Sequence, residues 1–298
     1  MLNVPNAMII GAQKAGTTWL WDALAEHPEV SVPTSKENHF FGSSELYRKG
    51  LPWYLSHFDG LDGNKVILDA ATTNFYDRVP YWHNAGRELK FDDELAPIPK
   101  LIVDAIPDVK VIVSLRNPVT RAISAYHHWM RRQFLLNPAE NGRASPWLGL
   151  ERTAQQFPKF RILEYGYYSK YLSAWREYLP EDRMLVLIFE DDIKADPQFG
   201  LKKTCDFLGI DASFSYTVDK SESNASWTWS RILLNYYTKP LMRWIHRGPI
   251  RWATDEWDPA KKMSIRESDL FFLRARYAGE KERVEALLGR SLESWRMD

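Results

Sequence analysis

With 298 residues, 39 basic and 39 acidic side chains and a formal net charge of zero, the chain offers no field to gather polyanions, which argues against non-specific nucleic-acid binding. Its single cysteine, Cys205, excludes an intrachain disulfide framework and points to a reducing compartment. No apolar run approaches the roughly 20 residues of a membrane helix, and Met1-Leu2-Asn3-Val4-Pro5 has neither the basic flank nor the apolar core of a secretory signal, so a soluble, cytoplasmic protein is expected, with residues 1–298 forming one α/β domain.

Short apolar segments alternate with helical patterns, as in parallel strands joined by crossover helices. The first strand is expected over 7–10. It runs into Gly11-Ala12-Gln13-Lys14-Ala15-Gly16-Thr17-Thr18-Trp19, and a helix over 17–26 follows, with Leu20, Ala23 and Leu24 as its buried stripe and Pro28 beyond its end. A strand, a glycine-bearing turn and a helix N-terminus together make a phosphate cradle. The glycines let the backbone approach an anion, the first helical amides point at it with the helix dipole behind them, and Lys14 adds a full charge. The order is G-x-x-K-x-G-T-T, whereas the nucleoside-triphosphate loop G-x-x-x-x-G-K-[ST] carries its lysine after the second glycine.

Ser35-Lys36-Glu37-Asn38-His39-Phe40-Phe41 precedes a short strand over 66–68 and then Asp69-Ala70-Ala71-Thr72-Thr73-Asn74-Phe75. By themselves Glu37 and His39 read as a loop carboxylate and a packed or solvated imidazole. Residues 84–98, charged and punctuated by proline, are expected to form a loop. The β-branched run 109–115 reads as a buried strand, ending in Arg116-Asn117-Pro118-Val119-Thr120-Arg121-Ala122-Ile123-Ser124-Ala125-Tyr126. Asn117 is placed to cap a helix and Pro118 to open it. Arg116 then lies at the carboxyl end of a central strand, where open α/β sheets bind ligands, and Ser124 lies about two turns into the helix. An arginine fork and a hydroxyl suit a phosphate monoester. Helices over 168–178 and 197–208 flank a strand over 184–189. Residues 134–152 and 213–259 are irregular and read as lids. The second holds Trp227, Trp229, Trp244, Trp252 and Trp257, which suit either the walls of a pocket for a sugar, polyketide or cationic small molecule or the packing of a lid on the core.

The loop around Lys14 resembles the 5′-phosphosulfate loop, and R-N-P-x-x-R-A-x-S-x-Y the 3′-phosphate motif, of sulfotransferases that use 3′-phosphoadenosine 5′-phosphosulfate (PAPS). The run Leu185-Val186-Leu187-Ile188-Phe189-Glu190-Asp191 and the ending Leu287-Leu288-Gly289-Arg290-Ser291-Leu292-Glu293-Ser294-Trp295 resemble later, mainly architectural parts of that family. The resemblance implies a P-loop-like central parallel β-sheet flanked by helices. It implies PAPS as co-substrate without a metal, and donor contacts from Lys14, Ala15, Gly16, Thr17, Thr18, Trp19, Arg116 and Ser124. The segment Lys36-Glu37-Asn38-His39-Phe40-Phe41 is similar to the K-E-x-H-F-F segment of heparan-sulfate-type members. By that likeness the catalytic residues are Lys14 on the leaving oxygen, Glu37 as base and His39 assisting or positioning the acceptor. The chain departs from that pattern at Ala70, where the glycosaminoglycan enzymes carry lysine, at Gly42, where some carry an acid, and in lacking their terminal disulfide loop. With zero net charge, these departures turn the expected acceptor toward a small molecule or short saccharide. Lys220 to Asn224 and the Ser230-Arg231 pair remain unassigned candidates for nucleotide contacts. The competing readings are a P-loop kinase or NTPase, disfavoured by the lysine position and by a strand ending in arginine, and a non-catalytic nucleotide-binding module.

Overall fold

The computed structural model describes residues 3–61, 65–83, 88–132, 145–217, 232 and 265–296. In chain order it holds β1 (Ala7–Gly11), α1 (Thr17–Ala25), β2 (Val30–Ser31), α2 (Ser44–Tyr47), α3 (Leu51–Leu55), β3 (Val66–Ala70), β4 (Pro80–His83), β5 (Glu88–Phe91), α4 (Ile98–Ala105), β6 (Lys110–Leu115), α5 (Pro118–Arg132), α6 (Leu150–Gln156), α7 (Tyr168–Arg176), β7 (Met184–Ile188), α8 (Pro197–Leu208), α9 (Glu267–Arg276) and α10 (Glu280–Leu288).

Five strands pair in parallel in the order β2-β3-β1-β6-β7. Parallel strands need crossovers that cover both faces of the sheet, so their residues must be apolar on both sides. The central strand β1 meets this requirement. Ala7 and Ile9 pack with Leu20, Leu24 and Trp21 of α1 and Leu201 and Cys205 of α8, while Met8 and Ile10 pack on the other face with Ile98 and Ile102 of α4 and Leu172 and Trp175 of α7. The α1 stripe Leu20, Ala23 and Leu24 is buried as its spacing predicts, and Trp19 and Trp21 are buried with it.

The chain leaves β1 toward β2 and β3 on one side, then crosses to β6 and β7 on the other. This reversal opens a crevice at the carboxyl ends of β1 and β6, the usual ligand position in such sheets. The C-terminal segment closes beside it: Trp295 is fully buried, lies 5.8 Å from the Tyr168 ring and donates to Glu190.

One expectation fails outright. Residues 84–98 are no simple loop, because β5 lies within them, paired antiparallel with β4, and α4 begins at Ile98; residues 84–87 lie outside the described residues. The proline at 97 caps α4 and Pro99 sits in its first turn, so the prolines mark a helix start rather than a break. The β4–β5 pair is steadied from outside the segment by the guanidinium groups of Arg78 and Arg161 over the Phe91 ring. Of the two expected lids, 133–144 and nearly all of 218–264 lie outside the described residues. The described end of the first is helical, with Leu150 buried in α6.

Candidate active site

Every strand of the parallel sheet delivers a polar segment to the same edge. After β1 the chain turns through Ala12 to Gly16. The turn is clamped to β6: Ala12 N–H donates to the Ser114 carbonyl at 2.7 Å, and the buried Ser114 hydroxyl donates to the Ala15 carbonyl at 2.7 Å. Lys14 has a left-handed backbone (φ 69), and Arg116 Nη1 donates to its carbonyl at 3.3 Å. Gly16 caps α1 with φ 86, and an added Cβ would lie 2.9 Å from the Phe189 ring, so both backbone and packing demand glycine. The cap contributes no side-chain hydrogen bond. The amides of Thr17, Thr18 and Trp19, which precede the first α-helical acceptor, are therefore left to meet an anion at the positive end of the helix dipole. Ala15 is buried beneath the turn. Trp19 is 6% exposed, with its indole N–H lacking a hydrogen-bond partner among the described residues.

Beyond β6, Arg116 lies over the Phe189 ring at 4.9 Å, its Nε donates to Thr120 Oγ1 at 3.0 Å, and its own carbonyl accepts from Tyr168 O–H at 2.8 Å. Asn117 caps α5 as expected, its Oδ1 accepting from Val119 and Thr120 N–H at 3.0 and 3.2 Å. It also joins three chain segments, since its N–H donates to Glu190 after β7 and its Nδ2 to the Arg296 carbonyl. Burial raises the Glu190 carboxyl above the usual carboxylate range. Ser124 lies half-buried further along α5.

The loop after β2 brings the expected carboxylate to this edge. Glu37 N–H donates to the Ala70 carbonyl at the end of β3 at 2.9 Å. Glu37 Oε2 accepts from Thr72 N–H at 3.0 Å and from Thr72 Oγ1 at 3.2 Å, and His39 Nδ1 lies 3.7 Å from the same oxygen and 3.0 Å from Thr73 Oγ1. Both side chains are partly exposed, at 29% for Glu37 and 40% for His39. Glu37 (φ 66) and His39 (φ 55) share with Lys14 the left-handed backbone that non-glycine residues rarely adopt. Among the described residues only Arg161 joins them. Such conformations cost about 1–3 kcal/mol each and cluster where geometry serves function.

Two side chains given no role by the sequence complete the arrangement. Lys36 Nζ donates to Thr18 Oγ1 at 3.2 Å and lies 3.6 Å from Glu37 Oε1, so one ammonium spans the first turn of α1 and the carboxylate. Burial lowers its pKa. Asp69, fully buried in β3, accepts from Asn38 Nδ2 (3.0 Å), Tyr54 O–H (2.8 Å) and Ala70 N–H (2.8 Å). Asn38 Oδ1 accepts in turn from Phe40 N–H at 3.1 Å. Asp69 thus anchors the residue between Glu37 and His39, and burial pushes its carboxyl up to about 6. The glycine at 42 also has a reason, because a Cβ there would overlap the Thr73 side chain that holds His39. Lys220 to Asn224, Ser230-Arg231 and the tryptophans from 227 to 257 lie outside the described residues.

The Sulfotransferase domain family model matches residues 5–230. The chain belongs to that family. Among relatives, the sulfotransferase-domain chain is 28% identical over 225 residues to the human bifunctional heparan sulfate N-deacetylase/N-sulfotransferase 2, covering 72% of this chain and 23% of that protein. It is 29% identical over 206 residues to human heparan sulfate glucosamine 3-O-sulfotransferase 6, covering 69% and 52%. It therefore spans about a quarter to a half of these relatives. A sulfotransferase from Alicyclobacillus acidocaldarius shares the fold over 99% of both chains, with a TM-score of 0.65 and 23% identity. The α/β sulfotransferase architecture expected from the motifs is thus the architecture observed. Among the described residues no helix is long and apolar enough to cross a membrane.

Proposed function

We propose that the protein transfers a sulfuryl group from PAPS to a hydroxyl or amine of a small-molecule or short-saccharide acceptor in the cytoplasm. The observation that carries this reading is the delivery of a carboxylate to the opening turn of a phosphate-cradling helix, through an ammonium that touches both. Amides of Thr17, Thr18 and Trp19 with Lys14 suit the 5′-phosphosulfate, and Arg116 with Ser124 suits the 3′-phosphate. Glu37 takes the acceptor's proton as the new bond to sulfur forms and the bond from sulfur to the phosphate oxygen breaks. Lys14 meets the charge that develops on that oxygen, and adenosine 3′,5′-bisphosphate leaves. His39, held by Thr73 beside Glu37, positions the acceptor. The heparan sulfate enzymes named above act on a polyanionic chain, whereas the zero net charge here favours a smaller acceptor.

Calorimetry with adenosine 3′,5′-bisphosphate and with ADP, each with and without magnesium, tests the donor. Magnesium-independent preference for the 3′-phosphorylated nucleotide is expected. Magnesium-dependent preference for ADP would replace this reading with a P-loop kinase or NTPase.

A further inference from the structure

We propose that Lys36 contacts the sulfuryl group of the donor, as a second cation beside Lys14, and so distinguishes loaded donor from spent nucleotide; this rests on the donor reading above. The Lys36 side chain is only 15% exposed, and its ammonium stands against Thr18 in the first turn of α1. A helix N-terminus carries partial positive charge and disfavours a cation. The adjoining turn carries Lys14, and Arg116 donates to the Lys14 carbonyl, so two further cationic residues stand at this strand-end edge. A third cation drawn partly out of water at such a place is stabilised only when negative charge sits among them. Glu37 supplies part of that charge, but at 3.6 Å, while Thr72 makes its hydrogen bonds to the other carboxylate oxygen. Asp22, one turn along α1, contributes only a charge at longer range. An ammonium has three N–H donors, and here one is given to Thr18 while Glu37 stands at ion-pair distance.

The position matches the reaction. The phosphate cradle lies on one side of Lys36 and the base on the other, so the group in transit passes between them. Its peripheral oxygens carry spread negative charge that a fixed cation stabilises. Ala70, at the adjoining strand end, brings no charge of its own.

The test is the affinity of Lys36→Met and Lys36→Arg for PAPS, without acceptor, and for adenosine 3′,5′-bisphosphate, with thermal melting to establish that each variant folds. Lys36→Met should lose about fivefold or more in affinity for PAPS while staying within about twofold of the parent for the bisphosphate. Lys36→Arg should keep most of the parent's affinity for PAPS. Equal weakening toward both nucleotides would make Lys36 a support of the loop, and no weakening would make it only the ion-pair partner of Glu37; either overturns the assignment. If the parent protein binds neither nucleotide, the donor reading itself falls, and the assignment falls with it.

Discussion

Three side chains of the site, on Lys14, Glu37 and His39, project from backbone that prefers glycine. Glu37→Gln keeps the shape and both Thr72 contacts but removes the proposed base. Turnover should fall by about 10²-fold or more, with affinity for adenosine 3′,5′-bisphosphate unchanged, measured by initial rates and calorimetry on one preparation. Near-normal turnover would remove Glu37 from the mechanism. For truncation, alanine is the cleaner control than glycine at these positions, because the parent side chains already carry a Cβ at positive φ and glycine would add relief of that strain to the loss of the side chain. Lys14 was legible as a candidate from its glycine-bearing turn, and Glu37 and His39 only through the resemblance of their segment to K-E-x-H-F-F. Lys36 and Asp69 were not. A loop lysine beside glutamate reads as a solvated pair, and a lone aspartate after an apolar run reads as a strand end. Their surroundings come from segments 18 residues away for Lys36 and 31 residues away for Asp69, which local pattern does not report.

At the level of elements, Asn117 carries more than its helix. Its side chain caps α5 and holds the C-terminal segment, and its backbone binds Glu190. Asn117→Ala should cost about 1 kcal/mol for the cap alone, and more with the lost bond to Arg296. Affinity for adenosine 3′,5′-bisphosphate should drop as Arg116, next in the chain, loses its fixed exit. Thermal melting and calorimetry together check this. Unchanged affinity in a destabilised variant would show that Tyr168 and Phe189 hold Arg116 without the cap. The strands β1, β3, β6 and β7 were readable because a sheet buried on both faces needs continuous apolar runs. The two residues of β2 are too few to show any period. The β4–β5 pair escaped because its charged, proline-bounded sequence is steadied by Arg78 and Arg161 rather than by its own pattern.

For the whole molecule, the buried Asp69 makes stability depend on pH. Its carboxyl, pushed up to about 6 from an ordinary 3.8, holds a proton in the folded chain where the unfolded chain has released it. The folded state is therefore favoured most at low pH, and this contribution declines as pH rises through about 6. Between pH 5 and pH 7 the loss is about 1 kcal/mol. Asp69→Asn has no such proton, so the parent's advantage over the variant in urea midpoint should be larger at pH 5 than at pH 7. A pH-independent difference would mean that Asp69 is ionised throughout. The proposed donor site also has a kinetic meaning. The Lys14 turn and Arg116 meet across 102 residues of chain, and neither half makes a nucleotide site until β1 and β6 have paired. Such distant pairing is slow to form. Nucleotide binding is therefore among the last properties a folding chain acquires, and ligand present during refolding draws the chain toward the one strand order that can hold it.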